Sequence, residues 1–173
     1  SRGTVLANTR AIALLILVVA CALRLYVVVP RADVPQGVDQ SEYLALGQNL
    51  RQHGVFSYGV PHRWGDRGTI DAPGPYEPSA ARAPLYPLAI ALLWNGPGPP
   101  VQAIRIVQAL LGGFVALFVY LIALRAFGRR TALAAGLAMA LAPLSTYLAT
   151  LILTETLFSF LLTAGFWLWG RQP

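Results

Sequence analysis

The sequence has no lysine, a single cysteine and only seven acidic residues in 173. Each scarcity excludes something. One thiol, Cys21, cannot build an internal disulfide framework or a cysteine-rich metal site. With 12% charged residues, the chain carries about half the charge of an ordinary soluble domain. Its 13 basic residues are all arginine and give a net charge of +6, yet they sit at the ends of apolar runs or scattered in one loop. Basic stripes interleaved with aromatics are missing, which argues against nucleic acid as a partner. Neither His53 nor His62 belongs to a metal-ligand spacing, and both read as solvated loop residues. Phosphate-binding, dinucleotide-binding and nucleophile-elbow motifs are absent as well. Nothing in the residue pattern requires a metal or another cofactor.

What the sequence does have is long apolar runs, 56% hydrophobic residues overall. Runs over about 11–30, 101–127, 131–147 and 151–169 are expected to form four transmembrane helices, because about 20 residues at 1.5 Å each cross a bilayer core. The fold class expected is therefore an all-α polytopic membrane protein. Arg24, near the far end of the first run, is expected to snorkel to the interface. Val18-Val19-Ala20-Cys21 has the look of a lipoprotein cleavage box, but the apolar run continues past Cys21 to Val29, against that reading. Gly112-Gly113 within the second run reads as a close-packing site.

A polar loop from 31 to 100 separates the first two runs and holds all the acids except Glu155. Within it, 39–52 is expected to form a juxtamembrane helix. Its Tyr43, Leu46 and Leu50 make an apolar stripe suited to the membrane surface, and His53-Gly54 supplies the stop. Residues 55–81 read as irregular loop with a short hairpin. The segment 83–94 is too short to span and suits an interfacial or re-entrant helix opened by Pro84. Arg2 and Arg10 precede the first run, Arg125, Arg129 and Arg130 surround the second connection, and Arg171 follows the last run. Four crossings put these clusters on one side, which the positive-inside rule makes cytoplasmic, so the 31–100 loop faces outward. The chain is expected to be the N-terminal part of something longer.

Three residues stand out chemically. Asp39, with Gln40-Ser41-Glu42 after it, reads as a helix N-cap with Glu42 as its capping-box partner, a role compatible with catalysis. Arg82 precedes the short apolar segment, where an interfacial anchor is the plain alternative. Glu155, in the first turn or two of the fourth run, is either an acid at the wet interface beside a helix N-terminus or a functional group.

Taken in order, Arg24-Leu25, Asp39 with Tyr43-Leu44-Ala45, Gly54-Val55-Phe56-Ser57, Arg82-Ala83-Pro84-Leu85-Tyr86-Pro87 and Thr154-Glu155-Thr156-Leu157-Phe158 form a recognisable series. The chain resembles the N-terminal region of GT-C membrane glycosyltransferases of the protein O-mannosyltransferase and aminoarabinose-transferase type. It has Gln40 and Arg82 where many relatives have Glu and Lys. The resemblance implies Asp39 as the catalytic carboxylate, Glu155 as a second active-site acid, and Arg82 beside the donor phosphate, with Tyr43 and Tyr86 lining the same pocket. It further implies inverting transfer of a sugar from a polyprenyl-phosphate donor in membrane lipid to a protein, lipid or polysaccharide acceptor. The isolated segment is expected to be inactive. Other readings of the residues are a transporter or channel subunit and a non-catalytic lipid-binding assembly partner.

Overall fold

The computed structural model describes residues 2–31, 37–59 and 76–170, with the side chains of the first helix from residue 8 onward. Among the described residues there are seven helices and no strand: α1 Arg2–Val28, α2 Val38–His53, α3 Leu85–Leu93, α4 Val101–Phe127, α5 Arg129–Ala140, α6 Pro143–Leu148 and α7 Glu155–Trp169. The Asn8–Val28 part of α1 and the whole of α4 are long and apolar enough to cross a membrane. This is an all-α membrane protein. The expected hairpin, His62 and Arg171 lie largely or wholly outside the described residues.

The chain divides into two compact units. The first holds α1, α4 from Ile106 on, α5, α6 and α7. Its core is built from small residues: Ala20 of α1, Ala116 and Ala123 of α4, and Ala132 and Ala140 of α5, closed by Ile16 and Tyr120. Lipid tails offer no hydrophobic drive for helix pairing, so close backbone approach must supply dispersion contacts instead. Gly112 and Gly113 serve that approach. A Cβ on Gly112 would lie 2.7 Å from Nε of Arg24, and one on Gly113 2.2 Å from Sγ of Cys21. Large apolar side chains such as Leu14, Phe158 and Trp169 are exposed on the outside of the helices, as lipid contact requires.

Two expectations fail in this unit. Arg24 does not snorkel. It is fully buried, and its guanidinium donates to the carbonyls of Ala20 (3.0 Å), Ala140 (3.0 Å) and Met139 (3.1 Å) and to Oγ of Ser145 (2.9 Å). The run 131–147 is not one helix either. It breaks at Leu141-Ala142, and Pro143 opens α6. Both departures have one cause. Proline lacks the N–H that would bond the carbonyl four residues back, here that of Met139. A bare carbonyl inside a membrane costs several kcal/mol, roughly. The Met139 carbonyl keeps only a long bond from the Ala142 N–H at 3.4 Å, and the Arg24 guanidinium adds a shorter one at the end of α5, where a cation is also favoured by the helix dipole.

The second unit holds α2, α3, the chain around them, the start of α4 and Leu151–Thr154. Tyr43, Leu44, Ala45 and Leu46 of α2 are buried, along with Tyr86, Ile90 and Ala91 of α3. The α2 stripe therefore packs on protein, mainly α3, and not on the membrane surface. The contact is tight at Gly47, where a Cβ would come within 2.4 Å of the Ile90 side chain. Gly54 ends α2 in the left-handed conformation at φ 68°, its N–H returning to the Asn49 carbonyl. His53 closes the last turn of the helix and stacks on Tyr76, with ring centroids 4.2 Å apart. Arg51 donates to the Trp94 carbonyl at 3.1 Å and so caps α3 from α2. The helix α3 shows apolar residues on its other side too, with Leu85, Leu88 and Leu92 exposed. A short helix apolar on both sides suits protein on one face and lipid on the other.

Candidate functional site

The charged residues of the second unit converge on Arg82. Asp39 lies in the first turn of α2. Glu42 and Tyr43 follow at helical spacings of three and four, so all three share one face. The expectation that Asp39 caps the helix is not met: Gly37 is the N-cap and makes no side-chain hydrogen bond. The Asp39 carboxylate, one step inside the helix, meets the Arg82 guanidinium through Nη2. Glu42 does not complete a capping box either. Its Oε2 accepts from Nε of Arg82 at 2.9 Å and from Nη2 at 2.5 Å.

Aromatic rings bound the cluster. The guanidinium carbon of Arg82 stands 5.2 Å from the centre of the Tyr43 ring, a cation–π contact. Tyr86 meets Tyr43 edge-on, 5.1 Å between centroids at 90°. Tyr86 is held by α3, while Arg82 sits just before Pro84, the N-cap of that helix. The packing of α3 on α2 thus sets the position of the arginine relative to both acids. A further contact comes from Gln40, whose Oε1 accepts from the Ile152 N–H at 2.9 Å and anchors the Leu151–Thr154 segment within this unit.

Burial sets the electrostatics. Burial by itself works against the charge on Arg82, but the hydrogen bonds it donates to Glu42 and Asp39 outweigh it and hold the guanidinium above its ordinary range, fixed as a cation. Tyr58, buried nearby, has its phenol pushed up, first by burial and then by the Glu42 charge, with Arg82 and Ser79 opposing. It remains a neutral hydroxyl.

Of the residues singled out in the sequence, Asp39, Tyr43, Arg82 and Tyr86 come together in this unit. Glu155 belongs to the first unit. It opens α7 and lines a cavity of about 20 Å³ there, with Gly112, Ser145, Thr156 and Ser159 among its walls. That volume matches roughly one water molecule. Sequence reasoning missed Glu42 and Tyr58. The helical spacing of Asp39, Glu42 and Tyr43 carried the signal for the first, whereas no local pattern announces the second.

Residues 81–172, just over half of the chain, match the model of the dolichyl-phosphate-mannose-protein mannosyltransferase family. The chain belongs to that family. Membership makes it a glycosyltransferase of mannosyltransferase type, in keeping with the GT-C resemblance. The matched stretch contains Arg82, Tyr86 and Glu155, whereas Asp39 and Tyr43 precede it. Searches of curated proteins and of solved structures give no match.

Proposed function

We propose that this mannosyltransferase-family chain takes its sugar from a polyprenyl-phosphate donor at the outer membrane face and transfers it with inversion. The observation carrying this reading is the shared arginine: one fixed cation between two carboxylates, beside aromatic rings, on a helix pair with an outward apolar face. A prenyl tail stays in lipid while its phosphate reaches the interface, so the reacting groups belong at that boundary. Asp39 acts as general base. The acceptor hydroxyl oxygen attacks the anomeric carbon, its proton passes to the Asp39 carboxylate, and the carbon–oxygen bond to phosphate breaks. The electron pair leaves with the polyprenyl phosphate, which Arg82 neutralises. Phosphate needs no protonation to depart, so a cation can stand where glycosidases use an acid. Tyr43 and Tyr86 offer faces and edges for the sugar, and Glu155 is the second acid of the reaction. The sugar and the acceptor class remain open in this proposal. The activity belongs to the full-length protein, and the segment alone is expected to be inactive.

Transfer of radiolabelled sugar from a polyprenyl-phosphate donor by full-length protein tests the assignment. Asp39→Asn is expected to lose at least about a hundredfold in kcat, the usual size of a general-base contribution. Wild-type turnover in that variant rules out Asp39 as the base.

A further inference from the structure

Glu42 is the member of the charged cluster that the proposed chemistry leaves without a task. The two acids grip Arg82 in different ways. The Glu42 side chain is 7% exposed and takes the Nε–Nη2 edge of the guanidinium, whereas the Asp39 side chain is 56% exposed and touches Nη2 alone. An exposed ion pair is weak, because water replaces either partner readily. A buried pair resists separation, because each charge would be stranded away from water. Two carboxylates and one guanidinium sum to a net negative charge. An incoming phosphate therefore reaches Arg82 only if one acid yields, and only Asp39 is exposed enough to yield.

We propose that Glu42 is a positioning residue: it holds Arg82 from the buried side, so that the donor phosphodiester displaces Asp39 from the guanidinium while the anchor stays. The displaced carboxylate is then free to accept the acceptor's proton. Donor binding and activation of the base become one event, and Asp39 is kept occupied until a donor arrives. This rests on the roles given to Asp39 and Arg82 above.

The pH profile separates positioning from mere support. The charged and titratable groups of the cluster around Arg82 are Asp39, Glu42 and Tyr43 on α2, and Tyr58, with Tyr86 of α3 edge-on to Tyr43. In Glu42→Gln the shape is kept and one negative charge goes, leaving Asp39, among the described residues, the one carboxylate in contact with Arg82. Both changes favour the ionised carboxylate. The acid limb of kcat/KM for sugar transfer by full-length protein is expected to move to lower pH by about one unit. In Glu42→Asp, which keeps the charge, the limb is expected to stay. An acid limb that does not move in a Glu42→Gln protein with wild-type Tm overturns the proposal.

A second measurement is independent of whether Glu42 variants fold. Decaprenyl phosphate in nanodiscs is titrated against the wild type and Asp39→Asn. With the competitor for Arg82 removed, Asp39→Asn is expected to bind about three times more tightly or better. Equal or weaker binding overturns the displacement. If Asp39→Asn instead transfers sugar at the wild-type rate, the function proposed above fails and this inference falls with it. Loss of transfer together with unimproved binding refutes the inference alone.

Discussion

Arg82 is a case where the identity of a cation matters beyond its charge. The guanidinium spends its Nε–Nη2 edge on Glu42 while Nη2 also reaches Asp39, and its carbon lies over the Tyr43 ring. An ammonium is a point charge without that edge or plane. Arg82→Lys is thus expected to raise the donor KM about tenfold with a smaller change in kcat, and Arg82→Ala to raise it about a hundredfold, as judged from the strength of charge-assisted hydrogen bonds. Steady-state kinetics in donor concentration check both. Tyr58 makes a useful contrast. Its phenol is held above its ordinary value, so it stays protonated throughout the working range. Tyr58→Phe is expected to leave the pH–rate profile unchanged below about pH 10, and a basic limb that disappears in that variant would reassign the limb to Tyr58. At this scale the sequence was only half legible. Asp39, Tyr43, Arg82 and Tyr86 were readable because a motif series names them. Glu42 was hidden, since a capping-box pattern offered it a local partner, and a two-residue shift of the N-cap from Asp39 to Gly37 undid that reading. Arg24 was misread because a lone arginine near the end of an apolar run ordinarily reaches for water, and only the tertiary structure reveals carbonyls waiting for it.

Among the elements, the interrupted α5–α6 pair and the close α2–α3 pair invite direct tests. If Arg24 compensates for the N–H that Pro143 lacks, the two residues must be energetically coupled. Arg24→Leu is expected to cost about 2–4 kcal/mol of stability, the range for baring buried carbonyls. In a Pro143→Ala background the same change should cost measurably less, because the restored N–H serves the Met139 carbonyl. A double-mutant cycle by thermal unfolding in detergent reads the difference, and additive effects refute the coupling. Gly47→Ala forces a Cβ into the Ile90 side chain and is expected to destabilise the helix pair by about 1–3 kcal/mol, raising the donor KM through displacement of Arg82. The all-helical class was visible from apolar run lengths alone, and the Gly54 stop from a single residue. The break before Pro143 was legible in principle, since an interior proline is a known interrupter. The apolar composition on either side of it masked the signal. The burial of the α2 stripe was not legible, because a hydrophobic face does not say whether lipid or protein will cover it.

For the molecule as a whole, the proposed chemistry fixes a sidedness. On the proposed function, the loop carrying Asp39 and Arg82 is expected outside and the Gly128-Arg129-Arg130 turn inside, the arrangement that the positive-inside rule predicts. Single cysteines at Ser79 and Arg129 in a Cys21→Ser background test this with a membrane-impermeant maleimide on intact cells. Ser79→Cys is expected to label and Arg129→Cys to label only after lysis. The reverse result would put the site on the wrong face for the proposed donor. The arginine-centred cluster also predicts that transfer survives chelation. If Arg82 neutralises the leaving phosphate as proposed, turnover is expected to persist in excess EDTA, and its loss, regained with magnesium, would show otherwise.

The Arg24 clamp has a bearing on biogenesis. The ribosome delivers this guanidinium 115 residues before the Met139 carbonyl it serves. By the time the interrupted helix leaves the translocon, its complement is already resident in the bilayer. A truncated chain starting beyond α1 would bring the α5–α6 break into the membrane without its guanidinium, leaving the Met139 carbonyl only the 3.4 Å bond from Ala142, so quality-control proteases are expected to clear such truncations even though every residue of the 81–172 match is intact.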